Sequence, residues 1–255
     1  QKAQVEELVE QRTHELNLSN ENLIKANQTK DQFFSIISHD LKNPIGASLS
    51  VANELKENIN DYTKEEQQTL ISIIDSSMIN LSILLENLLT WSRVQQEKIK
   101  PTPESFTFHD VIMEAKDQLL TNIQEKNLKI ECNVAEGLQV FADKNMVSTI
   151  IRNILSNAIK FTPNGGRIEI SSKESSSNII LQISDNGIGM SANTLNNLFI
   201  PGKTMSAPGT NNESGTGMGL LLISDFVRLN KGEIWVDSKE GEGSNFYISL
   251  PKSHT

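Results

Sequence analysis

Apolar residues recur along the N-terminal part of the chain at spacings near three, four and seven, the periods of an α-helix and of a coiled coil. Val9, Leu16 and Leu23 are seven residues apart, and Ile37 continues the same register. Several companion positions of this seam are polar. The pattern over residues 1–30 therefore fits a signalling helix or coiled coil, and equally a solvated helix without a partner.

A stronger apolar stripe over residues 31–97 predicts a long helical hairpin. Its apolar positions are Ile37, Leu41, Ile45, Ala52, Leu55, Ile59, Leu70, Ile73, Ile74, Met78, Leu81, Leu84, Leu85, Leu88 and Trp91. A turn is predicted at residues 58–62, and Thr63 with Glu66 has the spacing of a capping box at the start of the second helix. Because two such helices cannot bury both apolar faces by themselves, we expect a homodimer in which two hairpins form a four-helix bundle.

The pattern changes at residues 98–103, where two prolines predict a linker, and residues 104–255 contain alternating predicted strands and helices. The predicted strands are 106–108, 129–134, 167–172, 179–184, 233–237 and 245–250. The predicted helices are 111–123, 145–160 and 220–229. This order lacks the regular alternation of a doubly wound fold and predicts an α/β sandwich with a mixed sheet.

Composition narrows the functional classes. The 255 residues carry a net charge of −9, which argues against a general nucleic-acid-binding protein. The lone Cys132 excludes an internal disulfide and a cysteine metal cluster. We expect no apolar run that approaches the roughly 20 residues needed to span a bilayer. Since the chain begins with Gln, we expect a cytoplasmic fragment of a longer protein, with any anchor in the inner membrane lying upstream of it.

Residues 153–162 (NILSNAIKFT) place three polar side chains on one face of a predicted helix. Asn153, Asn157 and Lys160 lie at positions i, i+4 and i+7, which face the same way. One interpretation is an exposed polar stripe. The other is a wall for a triphosphate and Mg²⁺, with amide oxygens as hard ligands and Lys160 as a phosphate-binding cation.

Two glycine motifs follow. Residues 185–189 (DNGIG) come directly after an apolar strand, and Gly187 and Gly189 allow the sharp turn and close approach that a flat ligand needs. The Asp185 carboxylate could accept a hydrogen bond from the exocyclic amine of adenine. The alternative is a plain turn between a strand and a helix.

The second glycine motif, residues 215–219 (GTGMG), opens a predicted helix and contains Gly215, Gly217 and Gly219. The free N–H groups of a helix start favour phosphate binding, although the spacing matches neither a Walker loop nor a dinucleotide fingerprint. The composition of residues 191–214 predicts a mobile lid over the nucleotide. Lys203 is the hypothesised lid contact to phosphate, and a solvated lysine is the alternative.

His39 lies within an apolar helical segment, residues 33–45 (FFSIISHDLKNPI). A neutral imidazole is a competent nucleophile because its ordinary pKa is about 6.5. With a nucleotide site downstream, the hypothesis is that its Nε2 attacks the γ-phosphorus of ATP while Asp40 holds the Nδ1–H. Asn43 shares the face of His39 one turn later, and Pro44 is predicted to bend the helix.

Taken together, these motifs resemble the sensor histidine kinases of bacterial two-component systems. The resemblance implies a HisKA-type dimerisation and phosphotransfer hairpin followed by an ATP-binding domain of the Bergerat type, the fold of gyrase, chaperone, kinase and MutL (GHKL) ATPases. It implies ATP and Mg²⁺ as cofactors, with Asn157 as the principal Mg²⁺ ligand and Asn153 and Lys160 near the phosphates. Asp185 would bind adenine, and Asn43 would position water when a partner is dephosphorylated.

The expected function is therefore that of an ATP-dependent protein histidine kinase that phosphorylates His39. The phosphoryl group then passes to an aspartate of a response regulator receiver domain. The chain would also act as the phosphatase of that receiver domain. Two alternatives are another GHKL-type ATPase and a catalytically silent dimeric scaffold. The hairpin upstream distinguishes the kinase from the first, and the intact Asn157, Asp185 and glycine motifs distinguish it from the second.

Overall fold

The computed structural model describes residues 2–96, 98–200, 207–211, 213 and 219–253. Among residues 1–39 it describes side chains only at positions 2, 4, 12–14, 16–20, 24, 27, 37 and 38. The described chain consists of a helical hairpin followed by an α/β domain, as the apolar patterns predict.

The hairpin contains helix α1 (Lys2–Asn58), a 3₁₀ turn (Ile59–Asp61) and helix α2 (Lys64–Gln95). The predicted capping box is present at the start of α2. The Thr63 hydroxyl accepts a hydrogen bond from the Glu66 N–H at 3.2 Å, and the Glu66 carboxylate accepts one from the Thr63 N–H at 2.8 Å. These bonds satisfy two N–H groups that the helix itself leaves without partners.

Two features of the hairpin bear on what its sequence predicts. Helix α1 continues through Pro44, and the bend predicted at this proline stays a prediction. Helix α2 is long and apolar enough to span a membrane by length and composition alone, contrary to the expectation that no run would be. The reason is that residues 70–89 contain only two charged side chains, Asp75 and Glu86. By itself, this finding is weak evidence for a membrane segment.

The α/β domain contains seven strands and five helices among the described residues. The strands are β1 (Glu104–Thr107), β2 (Lys129–Asn133), β3 (Gln139–Ala142), β4 (Arg167–Glu174), β5 (Asn178–Asp185), β6 (Glu233–Lys239) and β7 (Gly243–Pro251). The helices are α3 (Phe108–Gln118), α4 (Leu120–Glu125), α5 (Lys144–Phe161), α6 (Ala192–Asn197) and α7 (Gly219–Leu229).

The main sheet has the strand order β2-β4-β5-β7-β6, in which β2 and β4 are parallel and the other neighbours are antiparallel. The sheet is thus mixed, as predicted. Buried and less buried side chains alternate along β5, because one face of the sheet packs against helices. Fully buried side chains of that interface include Ile112, Ile150, Ile154, Ile168, Leu181 and Ile183. Helix α5 therefore packs one face against the core and leaves its opposite face available for binding.

The sequence patterns were wrong at several short elements. The predicted helix 111–123 is two helices, because the Leu119 N–H bonds to the Lys116 carbonyl and the chain turns there. The predicted strand 106–108 ends one residue early, since Phe108 begins α3 as a fully buried side chain. Strand β3 and helix α6 were not predicted because four and six residues are too few for a periodic signal.

Candidate functional site

Helix α5 carries Asn153, Asn157 and Lys160 on one partly buried face, while its opposite face is in the core. The N-cap residue Asp143 positions the start of this helix. Its carboxylate accepts hydrogen bonds from the Met146 N–H at 3.0 Å and, at 2.9 Å, from the backbone N–H of Thr102, which belongs to the segment after α2. Burial acts to raise the pKa of Asp143, but these hydrogen bonds outweigh it and lower the pKa.

Asp185 is the last residue of β5 and is buried, with 7% of its surface exposed. One carboxylate oxygen accepts hydrogen bonds from the Gly187 N–H at 2.9 Å and from the Ser244 N–H at 3.3 Å. Burial raises the pKa of Asp185 to about 6, although both hydrogen bonds act to lower it. A carboxyl group whose pKa is raised by burial is a candidate for ligand binding.

The first glycine loop packs tightly against its surroundings. Gly189 has φ +65, and a Cβ atom there would lie 1.9 Å from the Lys239 carbonyl oxygen. A Cβ atom on Gly187 would lie 2.4 Å from the Phe161 carbonyl oxygen, which also accepts a hydrogen bond from the Ile188 N–H at 3.1 Å. Both glycines are therefore required by close approach, and the loop is fastened to the C-terminal end of α5.

The second glycine motif meets the first polar residue of α5. Gly219 begins α7, and a Cβ atom on it would lie 2.9 Å from the Asn153 amide oxygen. The Asn153 side-chain N–H donates to the Thr149 carbonyl at 2.8 Å, which orients that oxygen. The fold thus brings the start of α7 against the polar face of α5. Lys203, Gly215 and Gly217 lie outside the described residues.

Lys160, at the C-terminal end of α5, has a side chain whose pKa is lowered by burial, with the nearby Glu213 carboxylate acting in the opposite direction. Its Nζ donates to the Ala207 carbonyl at 2.7 Å and lies 4.8 Å from the centre of the Phe161 ring. The C-terminal end of α5 therefore carries the cation of Lys160 and also holds the loop that begins with the buried Asp185 carboxylate.

On the hairpin, the backbone of His39 is in α1, but its side chain is outside the described part of the chain. Asp40 is partly buried and Asn43 is exposed on the same helix. Ile37, two residues before His39, is buried with Leu84 of α2 and Leu221 of α7. Helix α7 therefore contacts both the nucleotide-site helix and the hairpin segment that bears the histidine.

Sequence reasoning missed two features of the site. The Ser244 N–H contact to Asp185 comes from β7, and Lys126 lies buried against the end of α5. No local pattern marks either residue, because both act through neighbours distant in sequence.

Two protein families match the chain. The His Kinase A (phospho-acceptor) domain matches residues 29–97, and the family of histidine kinase-, DNA gyrase B-, and HSP90-like ATPases matches residues 142–254. The chain is also 29% identical over 243 residues to the autoinducer 2 sensor kinase/phosphatase LuxQ of Vibrio vulnificus, and the aligned region covers 92% of this chain. The chain spans 28% of the length of LuxQ.

Solved structures share the fold. The histidine kinase AdeS of Acinetobacter baumannii superposes with a TM-score of 0.68 at 22% identity, covering 85% of this chain and 98% of AdeS. The histidine kinase ThkA, in a complex with the response regulator protein TrrA, gives a TM-score of 0.69 at 20% identity and covers 86% of this chain and 61% of that one. With both family matches in the order that the motifs predict, the chain belongs to the sensor histidine kinases.

Proposed function

We propose that this chain is an ATP-dependent kinase that phosphorylates its own His39 and passes the phosphoryl group to an aspartate of a response regulator. The observation that carries the proposal is the meeting of Asn153 on α5 with Gly219 at the start of α7, on the same helix whose C-terminal end holds the buried Asp185 loop. An amide wall, a helix start and a buried carboxylate are what a nucleotide needs for its phosphates and its base.

ATP fits the polarity of this site. The Asp185 carboxylate accepts hydrogen bonds through one oxygen, so the adenine amine would meet a carboxylate already oriented by Gly187 and Ser244. Lys160, at the end of α5 that also holds the Asp185 loop, supplies positive charge for the phosphates, and Asn153, nearer the start of the helix, lies beside the start of α7. Gly187 and Gly189 pack the Asp185 loop tightly against Phe161 and Lys239 and would thereby present that loop to the nucleotide. We propose that Gly215, Gly217 and Gly219 allow the backbone to approach the phosphates. Lys203 is proposed as a further phosphate contact.

Mg²⁺ would be held by Asn157 together with the ATP phosphates. Among the described residues, no group of three or more His, Cys, Asp or Glu side chains could hold a metal ion. Proteins usually bind Mg²⁺ through one or two side-chain oxygens, most often of carboxylates, with substrate phosphates and water as the remaining ligands. Here the Asn157 amide oxygen would take that place, and bound Mg²⁺ would neutralise charge on the transferring phosphoryl group.

In the proposed reaction, Nε2 of neutral His39 attacks the γ-phosphorus. A nitrogen–phosphorus bond forms as the bond from the γ-phosphorus to the bridging oxygen breaks, and ADP leaves. Asp40 accepts the Nδ1–H, which fixes the tautomer and stabilises the cationic phosphohistidine. Replacing Asp40 with Asn should slow autophosphorylation while ATP affinity stays near normal.

The partners follow from the same proposal. The hairpin exposes a set of apolar side chains in the single chain: Ile45, Leu49, Ile71, Ile73, Met78, Ile79, Ile83, Leu85 and Leu89. An exposed apolar surface of this extent supports a homodimer through the hairpin. The receiver domain of a response regulator would dock near His39, and Asn43 would position water there for dephosphorylation. Under this proposal the hairpin and the ATP-binding domain both act in the cytoplasm.

The test uses ATP labelled at the γ-phosphate with Mg²⁺, comparing the native protein with His39→Gln. We expect label that is lost in acid, stable in alkali and absent from the variant, since phosphohistidine has that stability. ATP hydrolysis that survives in the variant without any label would favour another GHKL-type ATPase. ATP binding without label in the native protein would favour a silent scaffold.

A further inference from the structure

Lys126, which follows α4, is a lysine whose side chain is almost completely buried, with 4% exposed. Its Nζ donates to the carbonyl oxygens of Ile159 at 2.8 Å and Lys160 at 3.0 Å. Both carbonyls belong to the last turn of α5, where a helix leaves its carbonyls without partners and carries partial negative charge. Lys126 therefore caps the nucleotide-site helix at the end that carries Lys160.

The same Nζ has two further partners in a distant part of the chain. It donates to the Thr210 hydroxyl at 2.6 Å and to the Glu213 carboxylate at 2.8 Å, 87 residues away. A buried ammonium group is costly unless an opposite charge pairs with it. Glu213 is that charge, so the ion pair joins the end of α5 to residues 207–211 and 213, here named the capping segment.

Glu213 organises the capping segment through its carboxylate and its backbone carbonyl. Its second carboxylate oxygen accepts from the Asn211 N–H at 2.8 Å, and its carbonyl accepts from the Gly209 N–H at 2.9 Å. The Thr210 N–H donates to the Lys160 carbonyl at 3.0 Å. A Cβ atom on Gly209 would lie 2.8 Å from the Lys160 carbonyl oxygen, so a larger residue there would push the capping segment away from the end of α5.

The capping segment also holds the side chain of Lys160. The Lys160 Nζ donates to the Ala207 carbonyl at 2.7 Å, and the Lys160 carbonyl accepts from both Lys126 and the Thr210 N–H. Lys160 is thus fixed at its backbone and at its charged end by one contiguous network. Asp185, in contrast, receives its hydrogen bonds from Gly187 and Ser244, outside this network.

We propose that Lys126 and Glu213 are positioning residues of the nucleotide site: their ion pair holds the capping segment on the end of α5 and thereby sets Lys160 for the phosphates of the nucleotide. The assignment of Lys160 to the phosphates rests on the proposed function. A positioning role predicts different effects on the binding of phosphates and of adenosine, whereas a merely stabilising ion pair does not. Loss of the pair should weaken recognition of phosphates and leave recognition of adenosine intact.

The first experiment measures hydrogen exchange of the nucleotide-free protein. In Glu213→Gln, the side-chain oxygen can still accept from one donor, but its NH₂ group cannot accept from the Asn211 N–H, and the charge is lost. We expect the amides of Gly209 and Thr210 to exchange about tenfold faster or more, and the Ile188 amide to be unchanged. The control is Glu174→Gln, whose exposed ion pair with Lys252 lies elsewhere. Unchanged exchange at Gly209 and Thr210 would overturn the proposal.

The second experiment measures the affinities of Glu213→Gln for ATP and for adenosine by calorimetry. We expect the dissociation constant for ATP to rise by about tenfold and that for adenosine to change by less than about twofold. Equal weakening of both ligands, or of neither, contradicts the positioning role. Lys126→Met should likewise raise the dissociation constant for ATP by at least about tenfold and change that for adenosine by less than about twofold. If that variant does not fold, Thr210→Val, which removes another partner of the Lys126 Nζ, should weaken ATP binding and leave adenosine binding unchanged.

Failure of the proposed function is distinguishable from failure of this inference. A native protein that binds neither ATP nor adenosine contradicts the proposed function and, with it, the role of the pair in phosphate recognition. The exchange comparison still decides in that case whether Lys126 and Glu213 hold the capping segment on α5.

Discussion

At the scale of single residues, the stability that Asp185 gives the domain conflicts with the adenine binding that we propose for it. Its carboxylate is buried and has a pKa of about 6, so keeping it ionised at neutral pH costs free energy that folding must supply. The proposed role gives a reason for this cost, because an ionised, oriented carboxylate is a strong acceptor for the amine of adenine. The position is therefore expected to be one where stability and ligand binding conflict.

Asp185→Asn should raise the thermal stability of the domain and abolish measurable ATP binding. The Asn oxygen can still accept from the Gly187 and Ser244 N–H groups, while the ionisation cost disappears and the NH₂ group now faces the adenine amine. We expect a rise in melting temperature of roughly 3–6 °C, measured by calorimetry. The exposed Asp237→Asn on the same sheet is the control and should change neither property. A lower melting temperature for Asp185→Asn would contradict this account.

The pH dependence follows from the same carboxyl group. Because its folded-state pKa lies above the ordinary 3.8, the stability that Asp185 contributes is full below about pH 4 and is lost as the pH rises through about 6. Adenosine affinity should change the other way, falling as the pH drops below about 6 and Asp185 gains a proton. Titration calorimetry with adenosine from pH 5 to pH 8 tests this without interference from titrating phosphates. A flat profile would exclude Asp185 as the adenine acceptor.

Gly189 and Gly165 make a matched pair, since both have positive φ but differ in the space around them. Gly189→Ala should lower the free energy of unfolding by roughly 3 kcal/mol, because its Cβ would lie 1.9 Å from the Lys239 carbonyl oxygen. Gly165→Ala should cost only about 1 kcal/mol, the strain of a left-handed alanine in open space. Urea unfolding of both variants measures the difference. Equal losses would show that conformation alone, and not close approach, requires Gly189.

At the scale of elements, the start of α2 is stabilised by the capping box that the sequence predicts. Thr63→Ala removes the hydroxyl that accepts from the Glu66 N–H and should lower the stability of the hairpin by about 1 kcal/mol. Thr69→Ala, within α2, is the control, because the Thr69 hydroxyl bonds only to the Glu65 carbonyl of the same helix. Thermal unfolding followed by helical circular dichroism gives both values. A loss as large for Thr69→Ala would argue against the cap.

Helix α5 carries the polar residues of the site. Its buried face and its polar face were predicted from different sets of residues. The buried face follows from apolar residues at helical spacing, and the polar face from Asn153, Asn157 and Lys160 on the same period. What the period could not predict is how the ends are held. Asp143 caps the start with help from Thr102, and Lys126 caps the end with help from Glu213.

At the scale of the whole molecule, α7 joins the nucleotide site to the hairpin. Leu221 is buried with Ile37 and Leu84, and the Gln95 side chain donates to the Asp225 carboxylate at 3.1 Å. Burial raises the pKa of Asp225, although its ion pair with Arg228 acts against this. Any movement of α7 on nucleotide binding would therefore reach the segment that bears His39.

Leu221→Ala should uncouple the hairpin from the ATP domain. We expect the variant to lose about 2 kcal/mol of contact between the two parts, so that their unfolding transitions move apart in a calorimetric scan. Leu120→Ala, an exposed leucine on α4, is the control and should leave the separation of the transitions unchanged. A scan in which Leu221→Ala shifts a single transition without splitting it would argue that the contact contributes nothing to coupling.

The sequence by itself determined the long helices, the mixed sheet and the family, because helical periodicity, caps and glycine motifs are local and are written in consecutive residues. Asn153, Asp185 and Gly219 were singled out as one site, and their roles remain predictions. Only the tertiary structure decided that Gly219 meets Asn153, that α7 contacts the hairpin and that Lys126 pairs with Glu213. These contacts join residues far apart in the chain, so they depend on how the sheet and helices pack, which no local pattern encodes.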